Sequence, residues 1–220
     1  MDRFPIVAVA SSAGDLEAVS ELLSALPGAC GQAFIIVQHL DPVRRGVSLS
    51  EALAKRTSLP VLEAQDGVVP ERDRVYVMPA SATLTIAGGR IRVVAGASAL
   101  LHAGDTLFNS LAEDRGESAI GVVLSGGGSD GALGIQAIKK VGGTTFAQYP
   151  GSARFPSMPI CAIETGCVGF VLRPNEIARG LTRLSRHAVP LAGVARSVIV
   201  IDDKAELRRG DGAADAFLRP

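Results

Sequence analysis

Ile6-Val7-Ala8-Val9-Ala10-Ser11-Ser12-Ala13-Gly14-Asp15 reads as an apolar strand running into a turn of small residues, and it decides the fold class. Ile6 to Ala10 is a short apolar run of the kind buried on both faces of a sheet. A helix follows at once, with Leu16, Val19, Leu22, Leu23 and Leu26 recurring on one face. Ser11 and Ser12 stand where the chain reverses. A serine there is exposed at the sheet edge, faces the amide groups of a helix start, and sits where the helix dipole favours developing negative charge. Those are the needs of a nucleophilic serine. The same residue also serves as a helix N-cap, the commoner role. Neither the dinucleotide fingerprint nor a P-loop lysine is present, since alanine stands at 8, 10 and 13.

Further along, strands and helices alternate. Ala33 to Val37 is the second strand and His39 falls just past its end. Ser48 and Glu51 have capping-box spacing, and Pro60 stops the helix they open. Val61 to Ala64 is a short strand. Arg74 to Met78 and Thr83 to Ile86 are strand-like, and Gly88-Gly89 leads into the alternating Arg90-Ile91-Arg92-Val93-Val94. That pattern predicts a hairpin with one wet face, joined antiparallel to the sheet edge. An amphipathic helix covers Asp105 to Glu113 and is closed by Gly116. Ala119 to Leu124 is the most apolar strand, running into Ser125-Gly126-Gly127-Gly128-Ser129-Asp130-Gly131. A helix from Ala132 to Val141, a strand at Thr144 to Ala147, a short helix after Met158, a last strand at Val168 to Leu172 and a helix from Pro174 to Arg186 complete the pattern. The expected architecture is α/β: a doubly wound, mainly parallel sheet flanked by helices, with an antiparallel hairpin at the edge.

The composition narrows the function. The 220 residues are 47% hydrophobic and 20% charged with zero formal net charge, which fits one globular domain with a sizeable core. There is no basic excess and no tryptophan, so nucleic acid is not an expected partner. No run reaches membrane-spanning length and none reads as a signal peptide, so direct membrane insertion is not expected and the cytoplasm is the expected compartment. Cys30, Cys161 and Cys167 lack both disulfide and zinc-ligand spacing, leaving no expected metal and three small core residues. Residues 1–189 read as one domain. Residues 190–220 read as a C-terminal tail, with disorder one reading of it; Val198 to Asp203 resembles the first strand of a receiver domain, but too few residues follow to complete one.

Ser12, His39 and Asp130 all follow strands, and in a parallel sheet such loops share one edge. A serine needs a base, and an imidazole suits that task near neutral pH. The imidazole needs a carboxylate to fix its tautomer. Each member also has a plainer role: an ordinary loop histidine, or an Asp-Gly turn like Asp66-Gly67 and Asp211-Gly212. His102 and His187 are the other histidines.

Several pieces, in order, resemble one family. They are Ser11-Ser12-Ala13-Gly14, Val37-Gln38-His39-Leu40-Asp41-Pro42, Asp105 to Asp114, Ala119 to Gly126, Ser129-Asp130-Gly131-Ala132 and Phe146-Ala147-Gln148. Together they resemble the catalytic domain of the CheB-type chemotaxis protein-glutamate methylesterases, most of all the form found in CheB–CheR fusion proteins. The resemblance covers roughly residues 5 to 185. It implies Ser12 as nucleophile, His39 as general base and Asp130 as its orienting carboxylate, with no cofactor. The implied reaction removes methyl esters from glutamate side chains of chemoreceptor cytoplasmic helices, and the family also deamidates receptor glutamines. A CheR-type methyltransferase is a further partner the resemblance suggests.

Departures from the family pattern are Ala10 and Asp15 in place of glycine, Gly127 in place of a larger residue, and Ala103-Gly104 in place of Pro-Ile or Pro-Ser. They motivate an alternative, a non-catalytic CheB-like binding or signalling domain with a degraded site. A hydrolase of another small ester is the third reading. No receiver-like segment precedes the motif within these residues, so control by phosphorylation in cis is not expected.

Overall fold

The computed structural model describes residues 4–12, 16–38, 48–80, 82–95, 102–186 and 199–200. His39, the turn Ala13-Gly14-Asp15, His187 and most of 190–220 lie outside them.

The strands are β1 (Ile6–Ser11), β2 (Ala33–Gln38), β3 (Val61–Glu63), β4 (Arg74–Val77), β5 (Ala82–Ala87), β6 (Arg90–Ala95), β7 (Ala119–Val123), β8 (Thr144–Gln148), β9 (Phe170–Leu172) and β10 (Ile199–Val200). The helices are α1 (Leu16–Ser24), α2 (Leu49–Ala54), α3 (Ala103–Arg115), α4 (Ala132–Lys140), α5 (Ser157–Glu164) and α6 (Pro174–Arg186). Eight strands form one sheet in the order β10-β9-β8-β7-β1-β2-β4-β3. Every pair in it is parallel. The three central strands β2, β1 and β7 are buried at every residue, the signature of a sheet covered on both faces.

Alternation along β1 divides the core in two. Ile6, Ala8 and Ala10 face the side covered by α3, α4 and α5, together with Leu107, Phe108, Leu111, Ile135, Ile138 and Met158. Val7 and Val9 face the side covered by α1, α2 and α6. The chain winds β1-α1-β2 on the second side and β7-α4-β8 on the first. The strand order therefore reverses between β1 and β7, and a crevice opens at the carboxyl ends of those two strands.

Three expectations are corrected. The hairpin β5–β6 is antiparallel as expected, but it forms a two-stranded sheet of its own instead of extending the main sheet. Its apolar face, Leu84, Ile86 and Ile91, is buried and packs with α3. Ser110 Oγ of α3 accepts from the Ile86 amide at 3.1 Å and Asp114 Oδ1 from the Gly89 amide at 2.9 Å. The hairpin's surface is thus used up on a helix, and β3 takes the edge beside β4. Nor is the strand before α6 the last: Ile199–Val200 pairs with Phe170–Val171. The cysteines also differ from three core residues, because Cys30 is buried while Cys161 and Cys167 are only half-buried. Burial chiefly pushes the Cys30 thiol up to about 11, which keeps it inert at neutral pH.

Close helix packing positions the crevice. Gly134 in α4 lies against α3, and a methyl group there would come within 2.4 Å of Phe108 Cβ. Gly134→Ala would gain about 1 kcal/mol in helix propensity elsewhere. Here overpacking of about 1–3 kcal/mol should outweigh that gain. Urea denaturation of Gly134→Ala is expected to show a net loss of stability. A neutral or stabilised variant would mean that α3 and α4 approach less closely.

Candidate active site

Ser12 follows β1 at the crevice and is half-buried. Its amide donates to Ser125 O at 3.3 Å, across from the end of β7. Its carbonyl accepts from Gln38 Nε2 at 3.2 Å, from the end of β2. The neighbour Ser11 pairs in register with Gln38 and is 2% exposed, its hydroxyl buried without a hydrogen-bond partner. Gly126 is required at this spot. A Cβ there would lie 2.7 Å from Ser12 Cβ and 2.9 Å from Ser12 N, and would run into Met158 Sδ. The glycine loop is stapled from behind. Gly126 donates to Phe155 O at 2.8 Å, and its carbonyl accepts from Met158 N at 3.0 Å. Gln148 Oε1 accepts from Ser125 N at 2.8 Å. Beyond this staple the loop opens, and a side chain at Gly127 would meet nothing within 4 Å.

Asp130 lies on the same edge, 8% exposed, just before α4. Its carboxylate accepts from the amides of Gly104 (2.8 Å, Oδ2) and Asp105 (2.9 Å, Oδ1) in the first turn of α3. The carboxylate of Asp105, 7% exposed, in turn accepts from the Gly134 amide at 2.8 Å, in the first turn of α4. Neither helix caps itself, because the residues at the two N-cap positions, His102 and Gly131, make no side-chain cap bond. Each helix start is therefore satisfied by a carboxylate delivered from the other helix. Burial raises the Asp105 carboxyl above its usual range; the Gly134 amide opposes the shift and the Asp130 charge adds to it. His102 Nδ1 lies 4.0 Å from Asp105 Oδ2, with its side chain largely exposed.

His102, Asp105 and Asp130 offer ligand atoms within 4.8 Å of one another. Backbone amides already point at the carboxylate oxygens, so this cluster reads as a pair of cross-caps and not as a cation site.

Two of the three residues singled out by sequence thus stand at one crevice. Ser12 continues β1 from Ala10, and a Cβ on Gly104 would sit 2.9 Å from Ala10 Cβ and 3.1 Å from Asp130 Oδ2. The third, His39, lies outside the described residues, as does Asp15. Sequence reasoning missed Gln38, Gln148 and Asp105 as site residues. The signal for the glutamines was a polar residue closing an apolar strand. Asp105 was read only as a helix start, and its partner in α4 has no local sequence signal.

Comparison with known proteins identifies the family. The family model "CheB methylesterase" matches residues 7–181. A protein-glutamate methylesterase/protein-glutamine glutaminase of Caulobacter vibrioides is 38% identical over 74% of this chain and 48% of its own length. One from Burkholderia thailandensis is 38% identical over 81% of this chain and 51% of its own. One from Pyrococcus abyssi is 32% identical over 82% and 53%. The chain therefore spans about half the length of the relatives it matches. The crystal structure of the Thermotoga maritima CheB methylesterase catalytic domain superposes with a TM-score of 0.74 at 26% identity, over 83% of this chain and all of that one. No helix among the described residues is long and apolar enough to cross a membrane. With a family match across most of its length and the same fold, the chain belongs to the CheB methylesterase family.

Proposed function

We propose that this chain is a serine hydrolase that removes methyl esters from glutamate side chains of chemoreceptor helices and can deamidate glutamine at the same positions. The observation that carries the reading is the shared crevice. Ser12 and the buried Asp130 emerge beside Ala10, from the two strands between which the sheet order reverses. Ser12 is the nucleophile. The buried Ser11 hydroxyl, whose neighbours Val7 and Val9 face the α1 side, is poorly placed for that role. His39 is the general base, one residue beyond Gln38, which pairs with Ser11. Asp130 orients the imidazole. A carboxylate has about four acceptor sites, so accepting two amides is compatible with accepting an imidazole N–H as well.

In the first step, His39 takes the Ser12 proton as Oγ attacks the ester carbonyl, and backbone N–H groups hold the oxyanion. His39 returns the proton to the departing methoxide, so methanol leaves. Water then attacks the acyl-enzyme with His39 again as base, releasing glutamate. Residues 1–189 carry the catalytic groups in this reading, with 190–220 as a tail from which Ile199–Val200 joins the sheet edge, and the chain acts in the cytoplasm on the exposed helices of its receptor.

Methanol release from a methylated receptor fragment tests the proposal. Ser12→Ala and His39→Ala should each remove nearly all turnover with the circular dichroism spectrum unchanged. Asp130→Asn should lose roughly three to four orders of magnitude in kcat. A serine-directed phosphonate should label wild type at Ser12. An unlabelled but folded wild type would favour the non-catalytic alternative, and labelling without methanol release would favour another ester.

The pH profile gives an independent check. An imidazole base must be neutral, so kcat/KM should rise as pH increases through about 6.5. A rate independent of pH across that range would remove His39 from the mechanism.

A further inference from the structure

We propose that Asp105 is a positioning residue for this site: by accepting from the Gly134 amide it fixes where the first turn of α4 lies against α3, and so where the Asp130 carboxylate points. The inference rests on the reading of Asp130 as the carboxylate that orients the base.

The geometry is reciprocal. Asp130 is anchored by the amides of Gly104 and Asp105. The residue that supplies the second amide also supplies the carboxylate that holds Gly134, four positions after Asp130. Gly131, the residue next to Asp130, has a left-handed backbone, φ 92°, in the turn that the Ala132 amide closes on Ser129 O at 3.2 Å. A glycine adopts that φ at little cost, and the turn shapes the loop without tying it to α3. Gly131 has no side chain to cap α4, and the Asp105 carboxylate ties the first turn of α4 to α3 through the Gly134 amide. The lever is short: the held amide of Gly134 lies about one helical turn beyond Asp130. A misplacement of about 1 Å at a catalytic group can cost about a hundredfold in rate.

Among the described residues the charges around Asp105 are few. Asp130 and His102 face it. The strands packed against α3, namely β1, β2, β5 and β7, carry no ionisable side chain, and the lysines of α4 lie in its last turn. The Asp105 carboxylate thus adds negative potential on the side of the site where Asp130 already stands. Neutralising it disfavours a protonated base, and the acid limb of the rate profile moves to lower pH.

The test uses the full chain with methanol release from a methylated receptor fragment, at a temperature where circular dichroism shows each variant folded. Asp105→Ala should lower kcat by about ten- to a hundredfold with KM changed by less than about twofold. Asp105→Asn keeps an oxygen for the Gly134 amide, so it should recover most of that loss while shifting the acid limb of kcat/KM to lower pH. Should Asp105→Ala fail to fold, Asp105→Asn and its limb carry the test. A folded Asp105→Ala with wild-type kcat, or an Asp105→Asn whose limb stays in place, overturns the proposal while leaving the hydrolase reading intact. A wild type without turnover, or a Ser12→Ala variant that retains it, overturns both.

Discussion

Two buried carboxylates hold this site together, each accepting backbone N–H groups from the helix that the other introduces. Bringing two like charges into a protein interior is costly unless each is well satisfied. Here the donors are the orphan amides of two helix starts, which themselves need acceptors and carry the positive end of the helix dipole. Each cost therefore offsets another. The arrangement also imposes a geometric condition, since α3 and α4 must meet at their first turns. The rest of the packing meets it. Gly134 lets α4 lie against Phe108, and Gly121 leaves room for Ile138 and Ile135 of α4 over β7.

The sheet supplies the other half of the site. Because β1 lies between β2 and β7, the residue that follows it is gripped from both sides: Gln38 takes its carbonyl and Ser125 its amide. The backbone of Ser12 is thus held by strands instead of by loop contacts, which suits a group that must meet a substrate at fixed geometry. Gln148 extends the grip by one strand, fixing Ser125 from the end of β8 and donating to Ser152 O at 3.1 Å and Ser152 Oγ at 3.2 Å. Four adjacent strand ends, of β2, β1, β7 and β8, therefore contribute to one rim.

Much of the architecture was legible because local and global signals agree. The run Ile6 to Ala10 is apolar at every position because both faces of the sheet are covered, and Ser48 with Glu51 forms the capping box its spacing announces. Pro174 to Arg186 folds as a helix over the expected range. What was not legible is tertiary. Whether a hairpin joins a sheet edge or lies on a helix depends on which surface its Leu84, Ile86 and Ile91 find first, and alternation along the strand is the same in either case. The two-residue strand at Ile199 is defined by its pairing with Phe170 and Val171, not by its own length. At the site, Ser12 and Asp130 could be found from spacing and resemblance. Asp105 could not, because an acidic residue at a helix start already has a sufficient local explanation in the dipole.

One contact at the crevice floor limits what position 104 can carry. Ala10 and Gly104 share the space of a single methyl group, with a Cβ on residue 104 meeting that of residue 10 at 2.9 Å and Asp130 Oδ2 at 3.1 Å. A side chain there would push on the strand beneath or on the carboxylate beside it. The bare backbone of that turn is what lets the Gly104 amide close on Asp130 at 2.8 Å, so the floor of the crevice is paved with main chain.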